Sequence, residues 1–335
     1  MAGYRDLRGK VAVVTGASSG IGRATARALA SKGCRLVLAA RNEAALDAAT
    51  RECGDLGGEA VTVVADVADP RAVDRLAETA LTRFGGLDIW INAAAVTQFG
   101  RIEQVPAEEF ERVVLVNLMG TVHGCRAAIP IFRQQGHGVL VNLSSVAGTV
   151  GQPETSAYVA TKWAIRGLGE SLRMEVMDAP GIAVCTVFPP SIDTPLFQHG
   201  ANHSGREPRP MPPVLPPERV AAVIADLISH PRREAFVGRG PSLLALTHAM
   251  APAITERMIA RAVEREHFGD APAPRGAGNL FTPQADSVHG GWAENGAGRG
   301  GRTALAVAAG AALAVPVGVY AWRRARRQRT RSAYL

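Results

Sequence analysis

The sequence predicts an α/β fold: a doubly wound parallel sheet in three α/β/α layers, forming one domain with a helical C-terminal tail. Two observations carry this. Six short β-rich apolar runs recur with amphipathic stretches between them: VAVVTG at 11–16, RLVLAA at 35–40, AVTVVAD at 60–66, DIWIN at 88–92, GVLVNLS at 138–144 and IAVCTVF at 182–188. Such alternation is the pattern of βαβ units around a buried parallel sheet. In addition, a glycine-rich turn follows the first run directly and opens a helical pattern. Crossovers of this kind are right-handed, and ligands in such sheets sit beyond the carboxyl ends of the strands.

After Phe188 the composition shifts. Residues 189–217 hold nine prolines, too many for a regular element and enough for a lid or binding loop. Helical patterns follow at about 218–229 and 242–268. The expected organisation is a catalytic domain over 1–240 and a helical extension over 241–268. A flexible linker over 269–301, rich in Gly, Ala and Pro, then leads to an apolar helix with a basic tail over 302–335. No internal repeat is visible.

The 335 residues carry a formal charge of +7, but eight arginines and no acidic residue lie from Arg299 onward. The body is therefore nearly neutral, and no nucleic-acid partner is expected. Cys34, Cys53, Cys125 and Cys185 are scattered without metal-ligand or disulfide spacing, so they read as reduced thiols in a cytoplasmic protein, with no metal site. Residues 303–322 are uncharged and long enough to span a bilayer, yet mostly Ala, Val and Gly with Pro316 inside. Six arginines from Arg323 to Arg331 would be carried outward by a span, against the positive-inside tendency. Membrane-surface association through 303–331 avoids that conflict; a soluble helix or an oligomer contact is the alternative.

In TGASSGIG (15–22), the spacing Gly16, Gly20, Gly22 at a strand-to-helix turn suits a dinucleotide. Glycines let the backbone approach a pyrophosphate, and the helix start offers unpaired N–H groups. Ser18, Ser19 and Ile21 complete this candidate cradle. The second strand ends in Ala40-Arg41, where an acidic residue would hold ribose hydroxyls. A guanidinium there suits the extra phosphate of NADP, making NADP the expected cofactor over NAD; a solvated arginine is the alternative. Asp66 and Val67 end the third strand and could hold an adenine edge. Asn92 ends the fourth, where it serves the site, local backbone groups, or both.

Residues 156–176 read as an amphipathic helix that sets Tyr158 and Lys162 one turn apart on one face. An ammonium beside a phenol favours the phenolate, lowering its pKa toward the range useful for acid–base work. Ser144 and Ser145 stand at the carboxyl end of the fifth strand, and Asn117 sits inside an apolar helical run, where a buried amide needs a partner.

In this order, TGASSGIG, Asn92, Asn117, Ser145 and YVATK (158–162) make the chain resemble the short-chain dehydrogenase/reductase family over roughly residues 7–240. The resemblance implies a Rossmann-type domain with a seven-stranded parallel sheet, often oligomeric, that transfers hydride between NAD(P)H and a carbonyl or alcohol. It implies Tyr158 as general acid/base, tuned by Lys162, which also binds the nicotinamide ribose, and Ser145 polarising the substrate oxygen. Asn117 would hold a relay water, and Ile192 and Thr194 would contact the nicotinamide. Two departures from the family pattern stand out: NAAA at 92–95 and Pro189-Pro190, which removes a backbone donor at the lid hinge. An NADP(H)-binding scaffold or redox sensor with little turnover is the competing reading. An epimerase or dehydratase would need a larger C-terminal substrate domain.

Overall fold

The computed structural model describes residues 3–238, 240–284 and 287–292. Seven parallel strands form one sheet: β1 (Val11–Thr15), β2 (Arg35–Ala40), β3 (Glu59–Val64), β4 (Ile89–Asn92), β5 (Gly138–Leu143), β6 (Ile182–Phe188) and β7 (Glu234–Phe236). Their order across the sheet is β7-β6-β5-β4-β1-β2-β3. The order reverses between β1 and β4, the switch point where such sheets open a crevice. In register, Val13 faces Val37 on one side and Trp90 on the other.

The strand residues alternate between two cores, which is why the domain has three layers. Val11, Val13, Trp90, Leu140 and Val184 point to one face, where they join α3 (Pro70–Phe84), α5 (Gly120–Gln135) and α6 (Ser156–Glu175). Ala12, Val14, Ile89, Ile91, Val141 and Val187 point to the other, against α1 (Gly20–Ala30), α2 (Glu43–Asp55) and α7 (Pro217–Ser229). Local chemistry sets the helix ends. The Asn42 side chain accepts from the Ala45 amide at 3.0 Å to start α2, and Asp69 followed by Pro70 starts α3. Gly85 (φ 78°) closes α3 in the left-handed conformation that only glycine adopts without strain.

The six apolar runs are all strands, within two residues at each end. β7, three residues long, has too little pattern to be read from sequence. The helix expected over 242–268 breaks at Ala251-Pro252 into α8 (Gly240–Met250) and α9 (Pro252–Ala262), because proline forces the preceding residue out of helical geometry. Ala107–Gln135 is long and apolar enough to cross a membrane. It comprises α4 (Ala107–Val114), a π-helical turn (Leu115–Met119) and α5, and its Val113, Val116, Ala128 and Phe132 are packed in the core. The apolar and basic tail over 302–335 lies outside the described residues.

The expectation of a flexible linker from 269 does not hold for 269–284 and 287–292. Phe268–Pro272 forms a strand, β8, antiparallel to the short strand Arg206–Pro208 of the proline-rich loop. The chain then returns over the sheet as a strap that hydrogen-bonds the β2 end and the start of α1. Composition misleads here because the strap is held by its backbone carbonyls, which every residue type carries.

Candidate functional site

One cleft opens over the carboxyl ends of β1, β4 and β5. It is lined by Gly16, Ser18, Ser19, Gly20, Ile21 and Gly22, by Ala40, Arg41, Asp66 and Val67, and by Ser145, Tyr158, Lys162, Ile192 and Thr194. Scattered from Gly16 to Thr194 in sequence, these groups meet because they lie at or just beyond strand ends or in the first turns of the helices that follow.

The glycine turn fits a dinucleotide. A Cβ on Gly22 would lie 2.1 Å from the Gly16 carbonyl oxygen, and Gly16 itself (φ +68°) runs against the Ala94 backbone. These close approaches bring bare backbone to the cleft floor. Ser19 caps α1 without a side-chain hydrogen bond, so no side chain of the cap competes with an anion at the helix start, where the Gly20 amide donates to the Ser287 carbonyl at 3.1 Å. Gly22→Val is expected to cost roughly 3 kcal/mol through overpacking against backbone, and a urea unfolding midpoint close to wild type would contradict it.

Beyond the ends of β2 and β3, Asp66 is less open than its sequence position suggests. Its carboxylate accepts from the Ala68 amide at 3.0 Å and from the Arg112 guanidinium. Burial alone would raise its pKa, but the Arg112 and Ala68 hydrogen bonds and the charges of Arg112 and Arg41 outweigh this and hold it below the usual carboxylate range. Arg41 donates to the carbonyls of Leu280 (2.7 Å) and Asn279 (2.6 Å). Arg112 and the strap were not legible as site elements: α4 carries no glycine or motif to mark it.

Beyond the end of β5, Ser144 and Ser145 point to different partners. Ser144 Oγ donates to the Lys162 carbonyl at 2.8 Å, fastening α6 to β5. Ser145 faces the cleft; its Oγ donates to the Pro189 carbonyl at 3.5 Å and is near enough to the Tyr158 phenol to favour the ionised form. Lys162 is 3 % exposed; its Nζ donates to the Leu143 carbonyl at 2.8 Å and stands 5.3 Å from the Tyr158 ring centre. The expected lowering of the phenol pKa is absent among the protein's own groups. Tyr158 borders the cleft, but dense surrounding protein pushes it up to about 12, with only Ser145 pulling down. Burial also drops Lys162 to about 7, which weakens the charge that was to act on the phenol.

Two predicted residues stand behind the cleft. The Asn117 side chain lies in the π-helical turn and is fully buried; it accepts from the Val96 amide (2.8 Å) and donates to the Val96 carbonyl (2.9 Å) and Thr161 (3.3 Å). It thus ties the β4 loop to α6, and its backbone carbonyl accepts from Thr121 at 2.7 Å. Asn92 accepts from Trp90 Nε1 and donates to Asn142, both at 2.8 Å, within the core. A Cβ at Gly124 would lie 2.1 Å from Asn92 Oδ1, so helix α5 approaches β4 closely only through that glycine.

Beyond Tyr158 the cleft becomes apolar and aromatic. Phe99, Phe197 and Met211 line it, and the two phenylalanine rings stack at 6.3 Å. His267, at the end of the helical extension, lines the same pocket beside Gln152, their side-chain nitrogens 2.9 Å apart. Burial lowers His267 to about 4, so it is neutral at physiological pH. Among the described residues no cluster of three His, Cys, Asp or Glu side chains could hold a metal ion. All four cysteines are unpaired and buried.

Comparison with known proteins agrees with this geometry. The family model for short chain dehydrogenases matches residues 10–204. An uncharacterized oxidoreductase, YxnA, of Bacillus subtilis is 37% identical over 283 residues, covering 83% of this chain and 79% of the relative. The 3beta-hydroxysteroid dehydrogenase 1 of Eggerthella lenta is 37% identical over 233 residues, covering 68% and 89%. The probable oxidoreductase EphD of Mycobacterium tuberculosis is 41% identical over 192 residues, covering 57% of this chain but 32% of its own. With its sheet order, its glycine turn, the family model over residues 10–204 and the Bacillus and Eggerthella relatives matched over most of their length, the chain belongs to the short-chain dehydrogenase family of NAD(P)-dependent oxidoreductases.

Proposed function

We propose that this protein is an NADP(H)-preferring oxidoreductase that interconverts an apolar ketone and its secondary alcohol, with Tyr158 as the general acid/base. The observation that carries the reading is the convergence of Ser145, Tyr158 and Lys162 on the cleft that begins at the glycine turn. The bound dinucleotide would supply or accept the hydride. In the reducing direction the Tyr158 hydroxyl donates its proton to the nascent alkoxide, and a phenol held at about 12 is fully protonated for that task at neutral pH. Ser145 orients the same oxygen by a hydrogen bond. Lys162 fixes the β5 end through Leu143 and lies close enough to stabilise charge developing on the phenol. Thr194 and Ile192 offer contacts on the nicotinamide side, and Asn117 holds the β4 loop against the α6 helix.

The aromatic pocket beyond Tyr158 supports a bulky apolar substrate, and the hydroxysteroid activity in the name of one relative suggests a ring system of that kind. NADPH oxidation with a panel of ketosteroids and long-chain ketones tests this. Turnover on none of them, with nucleotide binding intact, would favour the scaffold reading. The NADP preference rests on Ala40-Arg41, with no carboxylate at the β2 end. Arg41 lines the cleft and also donates to the strap carbonyls of Leu280 and Asn279. Arg41→Ala is expected to weaken NADPH binding by roughly tenfold relative to NADH, the loss of one charged hydrogen bond. Equal loss for both nucleotides in a fluorescence titration would show that Arg41 only anchors the strap.

Exposed Leu115 on the α4–α5 face and exposed Trp163 and Met174 on α6 support pairing of two copies through those helices. A cytoplasmic catalytic domain fits its buried free thiols. Attachment to a membrane surface through residues 303–331 is an extension of the same proposal.

A further inference from the structure

The strap is built into the cofactor cleft. It leaves β8 beside the proline-rich loop, where Gly276 and Asn202 exchange backbone hydrogen bonds at 2.9 Å and the Asn279 amide donates to the His199 carbonyl at 2.8 Å. It then crosses to the β2 end. There Arg41 donates to the Asn279 and Leu280 carbonyls, Arg112 Nε donates to Leu280 at 2.9 Å, and Asn42 Nδ2 donates to the Gln284 carbonyl at 2.7 Å. Further on, the Gly20 amide at the start of α1 donates to the Ser287 carbonyl at 3.1 Å, and the Gly290 and Trp292 amides donate to buried Asp193 at 3.1 and 2.8 Å.

Three features separate this from a passive tail. Leu280 is fully buried and joins the apolar cluster that contains Ala65, Val67 and Val116, the wall where an adenine ring would rest. Gly278 (φ +52°) sits so close to the loop that a Cβ would lie 2.3 Å from the His199 carbonyl oxygen, so the docked path demands glycine. Asn279 lines the cleft with Arg41, Asp66 and Val67, and its side-chain Oδ1 is buried with no hydrogen-bond partner. A buried acceptor left unpaired is unfavourable unless a ligand satisfies it.

We propose that residues 276–284 form a roof that completes the adenosine end of the dinucleotide site, with Asn279 Oδ1 accepting an N–H or O–H of the adenosine moiety. This rests on the dinucleotide reading of the cleft. The roof spans the site from the substrate loop to Arg41, so cofactor release requires the strap to undock. The nearby carboxylate of Asp66 is already engaged by Arg112 and Ala68, which gives a second acceptor a role.

The test is stopped-flow binding and displacement of NADPH and NADH, followed by nucleotide fluorescence, on the full chain. Wild type is compared with Gly278→Val, which undocks the strap, and with Asn279→Ala, which removes only the acceptor. Gly278→Val is expected to speed dissociation of both nucleotides at least about tenfold. Asn279→Ala is expected to weaken equilibrium binding of both several-fold and to shrink the rise in melting temperature that saturating nucleotide produces, while the nucleotide-free melting temperature is unchanged or higher. Unchanged kinetics and affinity in both variants would overturn the roof, leaving the strap a structural brace. Faster association with tighter binding in Gly278→Val would overturn it in favour of a plug that competes with cofactor. A wild type that binds neither nucleotide would instead sink the dinucleotide reading itself.

Discussion

Tyr158→Phe is expected to lower turnover by roughly 10²–10⁴-fold, the range for loss of a positioned proton donor, while nucleotide affinity stays close to wild type. The substitution removes one oxygen and keeps the ring that packs beside Lys162 and the cleft wall. Ser145 is held independently of the phenol, by the Ala147 amide at 3.2 Å and the Pro189 carbonyl at 3.5 Å, so the local backbone has no reason to move. Because the phenol sits near 12, the two directions of reaction should diverge with pH. Reduction needs the neutral phenol and should not fall as the phenol's ionisation range is approached from neutral pH. Oxidation needs the phenolate, whose fraction grows tenfold per pH unit below the pKa, so its rate should climb toward alkaline pH. Steady-state rates in both directions between pH 6 and about 10 check this. Full activity in Tyr158→Phe, or an oxidation rate independent of pH, would remove Tyr158 from the chemistry.

What the sequence made legible follows from where information is concentrated. The six long strands announce themselves because buried parallel strands need continuous Val, Ile and Leu, and the glycine turn because Gly16 and Gly22 leave no room for a Cβ. Spacing along α6 pairs Tyr158 with Lys162, the β5 end offers Ser144 and Ser145 alike, and only the family resemblance singles out Ser145; Ser145, Tyr158 and Lys162 line one cleft. Asn117 and Asn92 are both buried, and spacing could not say that their side chains would be engaged by Val96, Thr161, Trp90 and Asn142. The strap was hidden for a different reason. Its anchors are carbonyls that accept from Arg41, Arg112 and Asn42, 168 or more positions away, and a Gly, Ala and Pro composition reads as linker whether or not such donors wait for it. The pKa of Tyr158 was misjudged because i, i+4 proximity gives the partner but not the burial, and burial governs both groups.

Lys162 itself should cost the fold stability at neutral pH, and Lys162→Met should reveal it. In the unfolded chain this lysine titrates near 10.5, whereas burial drops it to about 7 in the folded protein. Its folded pKa is depressed, so the folded state binds fewer protons than the unfolded state between those values. Above about 10.5 both states are neutral and the penalty is zero. As pH falls toward 7 the penalty grows by about 1.4 kcal/mol per unit, and below 7 it is constant at roughly 4–5 kcal/mol as an upper bound. Methionine of similar length removes the ionisable group but leaves the Leu143 carbonyl without its donor, a loss of about 1–3 kcal/mol at every pH. Lys162→Met is therefore expected to unfold at higher urea than wild type at pH 6, with the advantage shrinking and then reversing as pH rises toward 10.5. Activity should be lost at all pH values, since the group that stabilises charge on Tyr158 is gone. A stability difference that does not vary with pH would mean that Lys162 keeps an ordinary pKa in the fold, and its charge would then be available to the phenol after all.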